Sequence, residues 1–338
     1  MTGVTLATLL AGCARDENPG APDGDTIRAT ARALSVETRA AVSGTSANGL
    51  KALVLASKTS GDYASPYAKG SMTFGSAAVA FAETGFTGVS RRFPPDGSTL
   101  QICALLPYAN VESAEWTTSG VSASLTFTGK DDVMAAGEDK IAKEDDPDND
   151  VTKVAAFEFN HLLTKLDFKV KAEDKEASEA WGNVTAITVS KVQNVGTFKN
   201  SVAVTYTDGS AASASAFSGT AAGPWKTYTA ADAEFKDQSL ALPYAPADAA
   251  VASTTLLAPF TAANPTSPTV TTADLVVDVT TKTATGTPIV TSVPVALEAG
   301  DTQGKAYTII LNFKAKAISG TATIAEWGKG ADSNVDVE

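Results

Sequence analysis

The chain has 338 residues, enough for two compact units with hydrophobic cores of their own. Lys and Arg total 26 against 38 for Asp and Glu, and the net charge of −12, with no basic cluster to offset it, excludes nucleic acid as the expected partner. One histidine and two cysteines leave too few soft ligands for a Cys/His zinc site, so neither a metal nor a cofactor is expected.

At the N-terminus, the apolar run Val4 to Leu10 leads into Leu10-Ala11-Gly12-Cys13 and then the polar stretch Ala14-Arg15-Asp16-Glu17-Asn18. This resembles a bacterial lipobox, in which small residues give the signal peptidase access to the bond before the cysteine and the thiol takes a diacylglycerol. Cys13 is therefore the expected lipidation site, with acyl chains holding the protein on a membrane. Met1-Thr2-Gly3 lacks the Lys or Arg that usually opens a signal peptide, which puts the translation start in question. The acidic tract after Cys13 is similar to the short export tag of Bacteroidetes lipoproteins. An acylated Cys13 leaves Cys103 without a disulfide partner. Cys103 lies in the apolar segment Leu100 to Leu105 and reads as a small buried hydrophobe.

Next comes a tether with Arg28, Arg32 and Arg39, in which Leu34 to Thr38 reads as strand-like and Ala40 to Gly44 as small and flexible. Beyond it, period-two alternation predicts half-buried strands. Val121, Ala123, Leu125 and Phe127 alternate with Ser and Thr, Leu166, Phe168 and Val170 with Lys and Asp, and Tyr307, Ile309, Leu311 and Phe313 with more polar neighbours. Further strands are predicted at Leu50 to Ala56, Val184 to Val192, Val202 to Tyr206, Leu275 to Val279 and Ala322 to Trp327. The Ala- and Glu-rich piece Asp174 to Trp181 predicts two turns of helix. Gly209 to Ala222 and Thr261 to Thr272, rich in Ala, Ser, Thr and Pro, read as surface loops. The fold class is thus all-β, as two tandem β-sandwich domains. The expected division is residues 1–39 as signal, lipobox and tether strand, 40–173 as the N-terminal sandwich and 174–338 as the C-terminal one.

Catalytic and metal chemistry finds little support in the residues. His161, the only histidine, shares strand parity with Phe157, Phe159 and Leu163, which points it into the core as a hydrogen-bonded structural residue. In the acidic run Glu144 to Asp150, Val151 stands where a calcium loop needs Gly and Phe157 where it needs a bidentate Glu, so the run reads as a solvated loop. No pair of carboxylates is singled out for glycosidase chemistry, and the chain reads as a non-enzyme. Of Trp116, Trp181, Trp225 and Trp327, Trp225 in Gly223-Pro224-Trp225-Lys226 is the best candidate for an exposed ring able to stack on sugar.

Several segments in order carry a more specific resemblance: Leu105-Leu106-Pro107-Tyr108, Asp132-Val133-Met134-Ala135-Ala136, the run Phe157 to Phe168, then Tyr307 to Phe313 and Ala322 to Gly330. With the lipobox they span nearly the whole chain, and together they resemble the fimbrillin-like (type V pilin) surface lipoproteins of Bacteroidales. The resemblance implies transthyretin-like sandwiches, export to the cell outer membrane as a lipoprotein, trimming after an arginine and assembly with other fimbrial subunits by donor-strand exchange. Arg39, between the strand-like and the flexible segments, is the expected processing site. In the family the donor strand is C-terminal. Here only Val335 and Val337 alternate in the acidic tail, so a tip or accessory role stands beside a stalk role. The alternative function is a monomeric glycan-binding surface lipoprotein with Trp225 as its sugar contact. A host or bacterial surface ligand is expected for the adhesive role.

Overall fold

The computed structural model describes residues 27–33, 51–63, 65–74, 79–80, 92–106, 123–130, 132–149, 151–205, 213–223, 225–229, 239–315 and 317–326. Among these, regular structure is nearly all β, as the alternation predicts. Strands are numbered in chain order. A seven-stranded sheet is built from β1 (Arg28–Ala33), β2 (Lys51–Ser57), β3 (Ala68–Thr73), β4 (Val79–Ala80), β5 (Leu100–Leu106), β7 (Met134–Ile141) and β8 (Val154–His161). Their spatial order is β3-β2-β5-β7-β8-β1-β4. The remaining strand of this region, β6 (Ala123–Thr126), pairs with β12 (Ser201–Thr205), whose other neighbour is β13 (Ser213–Ser218).

Two more sheets form a sandwich. One has the order β17-β9-β22-β23, from β9 (Thr164–Ala172), β17 (Ala250–Leu257), β22 (Lys305–Lys314) and β23 (Ala317–Glu326). The other has the order β15-β10-β19-β20, from β10 (Asn183–Val192), β15 (Trp225–Thr229), β19 (Leu275–Lys282) and β20 (Ile289–Val295), with β16 (Leu240–Ala241) also on β10. Short ladders join β11 (Thr197–Phe198) to β14 (Ala221–Ala222) and β18 (Thr261–Ala262) to β21 (Gly300–Asp301). Alternate residues of the facing strands, among them Phe168, Val170, Ile187, Val277, Ile309 and Leu311, share one buried cluster. The two antiparallel-rich sheets thus pack face to face. β20 and β23 approach closely at Gly320, where a Cβ would fall 2.8 Å from Val295 Cγ2. No larger residue fits there without repacking.

The seven-stranded sheet is buried on both faces. Along β2, Leu53 and Leu55 join the cluster of the sandwich, whereas Ala52, Val54 and Ala56 join a second cluster with Met72, Ile102 and Phe159. Cys103 is fully buried in the first of these, the small core residue expected of it.

The structure corrects two expectations. The boundary between residues 173 and 174 does not coincide with a change of sheet. β9 lies before it, yet pairs antiparallel with β17 and parallel with β22, and β6 pairs with β12. The reason lies at Leu162 and Leu163, both buried, between β8 and β9: the chain turns from one sheet to the other there while the hydrophobic alternation continues. The helix α1 (Lys175–Trp181) forms as predicted, with Asp174 as N-cap accepting from the Ala177 N–H at 2.7 Å. It packs onto the sandwich, since Trp181 lies edge-on against Phe313 and donates its indole N–H to the Lys314 carbonyl at 2.7 Å. Finally, Gly209 to Ala222 contains β13 and β14, because pairing of β13 with β12 and of β14 with β11 supplies the ladder that small side chains do not signal.

Candidate functional site

β1 lies inside the seven-stranded sheet, between β8 and β4. Ile27, Ala29, Ala31 and Ala33 alternate with Arg28, Thr30 and Arg32, a pattern with one bulky apolar member. The segment runs parallel to β8, with Arg28 opposite Val154 and each following residue in register to Ala33 opposite Phe159. On its other side, β4 covers only Arg28 and Ala29, through Ala80 and Val79. β1 therefore completes the sheet beside β8, although β2 to β7 lie between the two strands in sequence.

The seat beneath β1 is aromatic. Ile27 and Ala29 are fully buried in the cluster that contains Phe74, Phe157 and Phe159. Phe74 meets both other rings edge to face, at 6.0 Å from Phe157 and 5.8 Å from Phe159, and those two lie 6.1 Å apart. Such offset geometries suit the ring quadrupoles and set a rigid floor. Removing β1 would bare the β8 edge from Val154 to Phe159 above this floor. Unpaired backbone beside an apolar groove is the physical requirement for taking up a strand from another chain.

Of the residues singled out by sequence, Cys13 and Arg39 lie outside the described residues, as do Leu34 to Thr38 and the tail from Trp327. Arg28 and Arg32 lie within β1 itself, with Arg32 opposite Glu158 in the register. His161 is buried as expected, its Nδ1 3.0 Å from Asp132 Oδ1, a pair that ties the end of β8 to the segment entering β7. The acidic run closes a turn: Asp146 and Val151 exchange backbone hydrogen bonds around a 3-10 turn at Pro147–Asn149, and Asp145 accepts from the Lys153 N–H.

The exposure expected of Trp225 is overturned. It is buried at 8% exposure, with ring centroids 5.5 Å from Phe198 and 6.4 Å from Phe127, and its Nε1 donates to Thr255 Oγ1 at 3.0 Å. Gly223 and Pro224 made the segment look like a polar loop, but Trp225 opens β15 and pairs with Val189 of β10. A ring so covered offers no face to a sugar.

Sequence reasoning missed β1 as a strand, placing strand character in Leu34 to Thr38 instead. The available signal was the alternation beginning at Ile27, muted because Ala29, Ala31 and Ala33 follow it at the alternate positions.

The model of a family described as fimbrillin-like matches residues 38–327, a span that begins after β1. Among solved structures, a candidate cell adhesion protein from Bacteroides uniformis is 18% identical with a TM-score of 0.51, covering 90% of this chain and 100% of that one. A second, from Bacteroides ovatus, is 15% identical with a TM-score of 0.50, covering 89% and 97%. A fimbrial protein from Bacteroides vulgatus is 15% identical with a TM-score of 0.46, covering 89% and 99%. No curated protein matches the chain.

Proposed function

The chain belongs to the fimbrillin-like family, and we propose that it is a structural and adhesive subunit of a cell-surface fimbria that accepts a strand of another fimbrial subunit in the seat of β1. The observation that carries this reading is the place of β1 in the sheet: a strand upstream of the family-matched body, covering an aromatic groove that the body alone does not close.

Cutting the tether makes β1 exchangeable. Burial of Ile27 contributes about 1.5–3 kcal/mol and each ladder hydrogen bond about 0.5–1.5 kcal/mol. Ordering the segment costs about 1–2 kcal/mol per residue, a sum of comparable size. While β1 is covalently attached, its high effective concentration keeps it seated, and cutting the chain removes that advantage.

Arg39 is the processing site in this account. The backbone at Arg28 and Arg32 is laddered to β8, whereas proteases act on segments that can extend into their active sites. Arg39 lies beyond the last residue of β1. Cys13 carries the lipid that holds the precursor on the outer membrane, and among the described residues no helix is long and apolar enough to cross a membrane. Strand acceptance serves a stalk, tip or accessory subunit alike, and an adhesive ligand on a host or bacterial surface completes the role.

The test compares protein beginning at Ala40 with protein retaining Cys13 to Arg39. The shorter form is expected to assemble into concentration-dependent, detergent-resistant multimers and the longer to stay monomeric. Identical behaviour of the two would contradict the proposal.

A further inference from the structure

β20 is the last strand of its sheet, and its neighbours fix which way its backbone groups point. On β10, the hydroxyls of Thr185, Thr188 and Ser190 donate to the carbonyls of Thr280, Asp278 and Val276 at 3.3, 3.5 and 3.2 Å. These three residues of β19 therefore turn toward β10. Successive residues of an antiparallel strand turn their N–H and C=O to opposite sides, so Leu275, Val277, Val279 and Thr281 face β20, opposite Val295, Val293, Thr291 and Ile289. Val290, Ser292 and Pro294 are left directed away from the sheet, where no strand pairs with them among the described residues.

Proline stands at 294 and again at 288, just before the strand, so along this edge only Val290 and Ser292 offer N–H donors. The two prolines cap the length over which any partner can pair, and Thr291 lies midway between them. Nothing from Pro288 to Val295 is charged, although the chain carries a net charge of −12. Ile289 and Val290 are 55% and 62% exposed, a pair of aliphatic side chains on an open edge.

We propose that this edge pairs with the same edge of a second copy, antiparallel about a two-fold axis at Thr291. Two-fold pairing is the commonest way in which a protein meets itself, and centring it on Thr291 overlaps the whole of Ile289 to Val293 with its counterpart. Val290 then faces the second copy's Ser292, and Ser292 its Val290, exchanging about four hydrogen bonds. Ile289 stands beside the second copy's Val293, so both exposed aliphatics gain cross-strand neighbours. The uncharged strip lets two acidic chains approach without like charges opposed. Such a contact falls short of the roughly 1,200–2,000 Å² that stable complexes bury, so single protomers part at micromolar concentration. On the fimbrial reading above, the contact repeats along a polymer, where weak contacts add, and it joins fimbriae side by side.

The experiment uses the full, uncut chain with Cys13→Ser, which leaves the buried Cys103 as its only cysteine, and adds Thr291→Cys. The register puts position 291 opposite itself in a non-bonded pair, whose Cα separation of about 4.5 Å suits a disulfide. At about 0.5 mM under oxidising conditions, this variant is expected to form covalent dimer at least about tenfold faster than Ser319→Cys, an exposed control on β23. Adding Val290→Lys, at an outward position that leaves the β19 ladder intact, is expected to bring the rate down to that of the control. Equal rates for Thr291→Cys and Ser319→Cys, or a rate that Val290→Lys does not lower, would overturn the proposal. Should the cysteine variant fail to fold, sedimentation of the parent chain from about 0.01 to about 1 mM decides instead. A dimer that grows with concentration and is lost with Val290→Lys supports the pairing, and a monomer throughout overturns it. The chain is uncut in every arm, so failure here leaves strand exchange at β1 standing.

Discussion

Trp225 donates its indole N–H to Thr255 Oγ1 at 3.0 Å, and Thr255 in turn donates to the Gly129 carbonyl at 3.4 Å. This chain of bonds joins β15, β17 and the turn after β6, with Phe127 and Phe198 packed around the ring. Trp225→Ala is expected to lower stability by about 3–5 kcal/mol through cavity formation. Trp225→Phe keeps most of the packing and costs about 1 kcal/mol for the lost hydrogen bond. Denaturant unfolding of the two variants checks the ordering, and an unchanged midpoint for the alanine variant would mean that the ring is not buried.

Lys165 is fully buried in β9, its Nζ 3.0 Å from Asp167 Oδ2, and Asp167 Oδ1 accepts from Thr254 Oγ1 at 2.6 Å. Removing the carboxylate leaves an ammonium in the interior, whereas removing the ammonium leaves a carboxylate that retains a hydroxyl partner and some solvent. Asp167→Ala is expected to cost about 3–5 kcal/mol, while Lys165→Met changes stability little or raises it. Thermal unfolding of both variants, with the double variant to close the cycle, measures this asymmetry.

Much of this architecture is legible in sequence where side chains are large. The alternations at Leu166 to Val170 and Tyr307 to Phe313 mark β9 and β22, and the helix start at Asp174 follows from its capping chemistry. Legibility fails where small residues form strands. β1 and β13 are built mainly from Ala, Ser, Thr and Arg, and only the neighbouring strand's ladder and packing make them extended. Pairing partners are likewise hidden, so nothing in the β9 segment alone reveals that it joins strands of the second half rather than β8. The seat was half visible: the Phe157 to Phe168 run marks its floor, but the strand that covers it is nearly silent.

The phenol of Tyr307 is pushed up to about 12, first by burial and then by the negative charges of Glu298, Asp274 and Asp301. Between pH 10 and 12 the unfolded chain releases this proton while the folded chain keeps it, so the folded state loses stability as pH rises through that window, by up to roughly 1.4 kcal/mol per unit. Tyr63 shifts in the same direction, chiefly through burial and then through neighbouring Cys103 and Glu138. The Tyr307 hydroxyl has no hydrogen-bond partner among the described residues, so Tyr307→Phe is expected to be near neutral at pH 7. Its stability should decline less steeply than that of the parent above pH 10, as urea titrations at stepped pH would reveal.

Gly182 ends α1 with φ of +73° and ψ of −139°, and a Cβ there would fall 2.5 Å from the Lys282 carbonyl oxygen. Both the backbone conformation and the close approach of β19 favour glycine. Gly182→Ala is expected to cost about 2–4 kcal/mol, read from the denaturation midpoint, with the all-β circular dichroism signature retained.

The most direct measurement of the central claim is native mass spectrometry of the full chain before and after specific cutting at Arg39. The account predicts an intact monomer beforehand and, afterwards, release of the fragment carrying β1 with growth of a ladder of multimers. A cut chain that keeps its fragment bound and remains a single protomer at every concentration would contradict it.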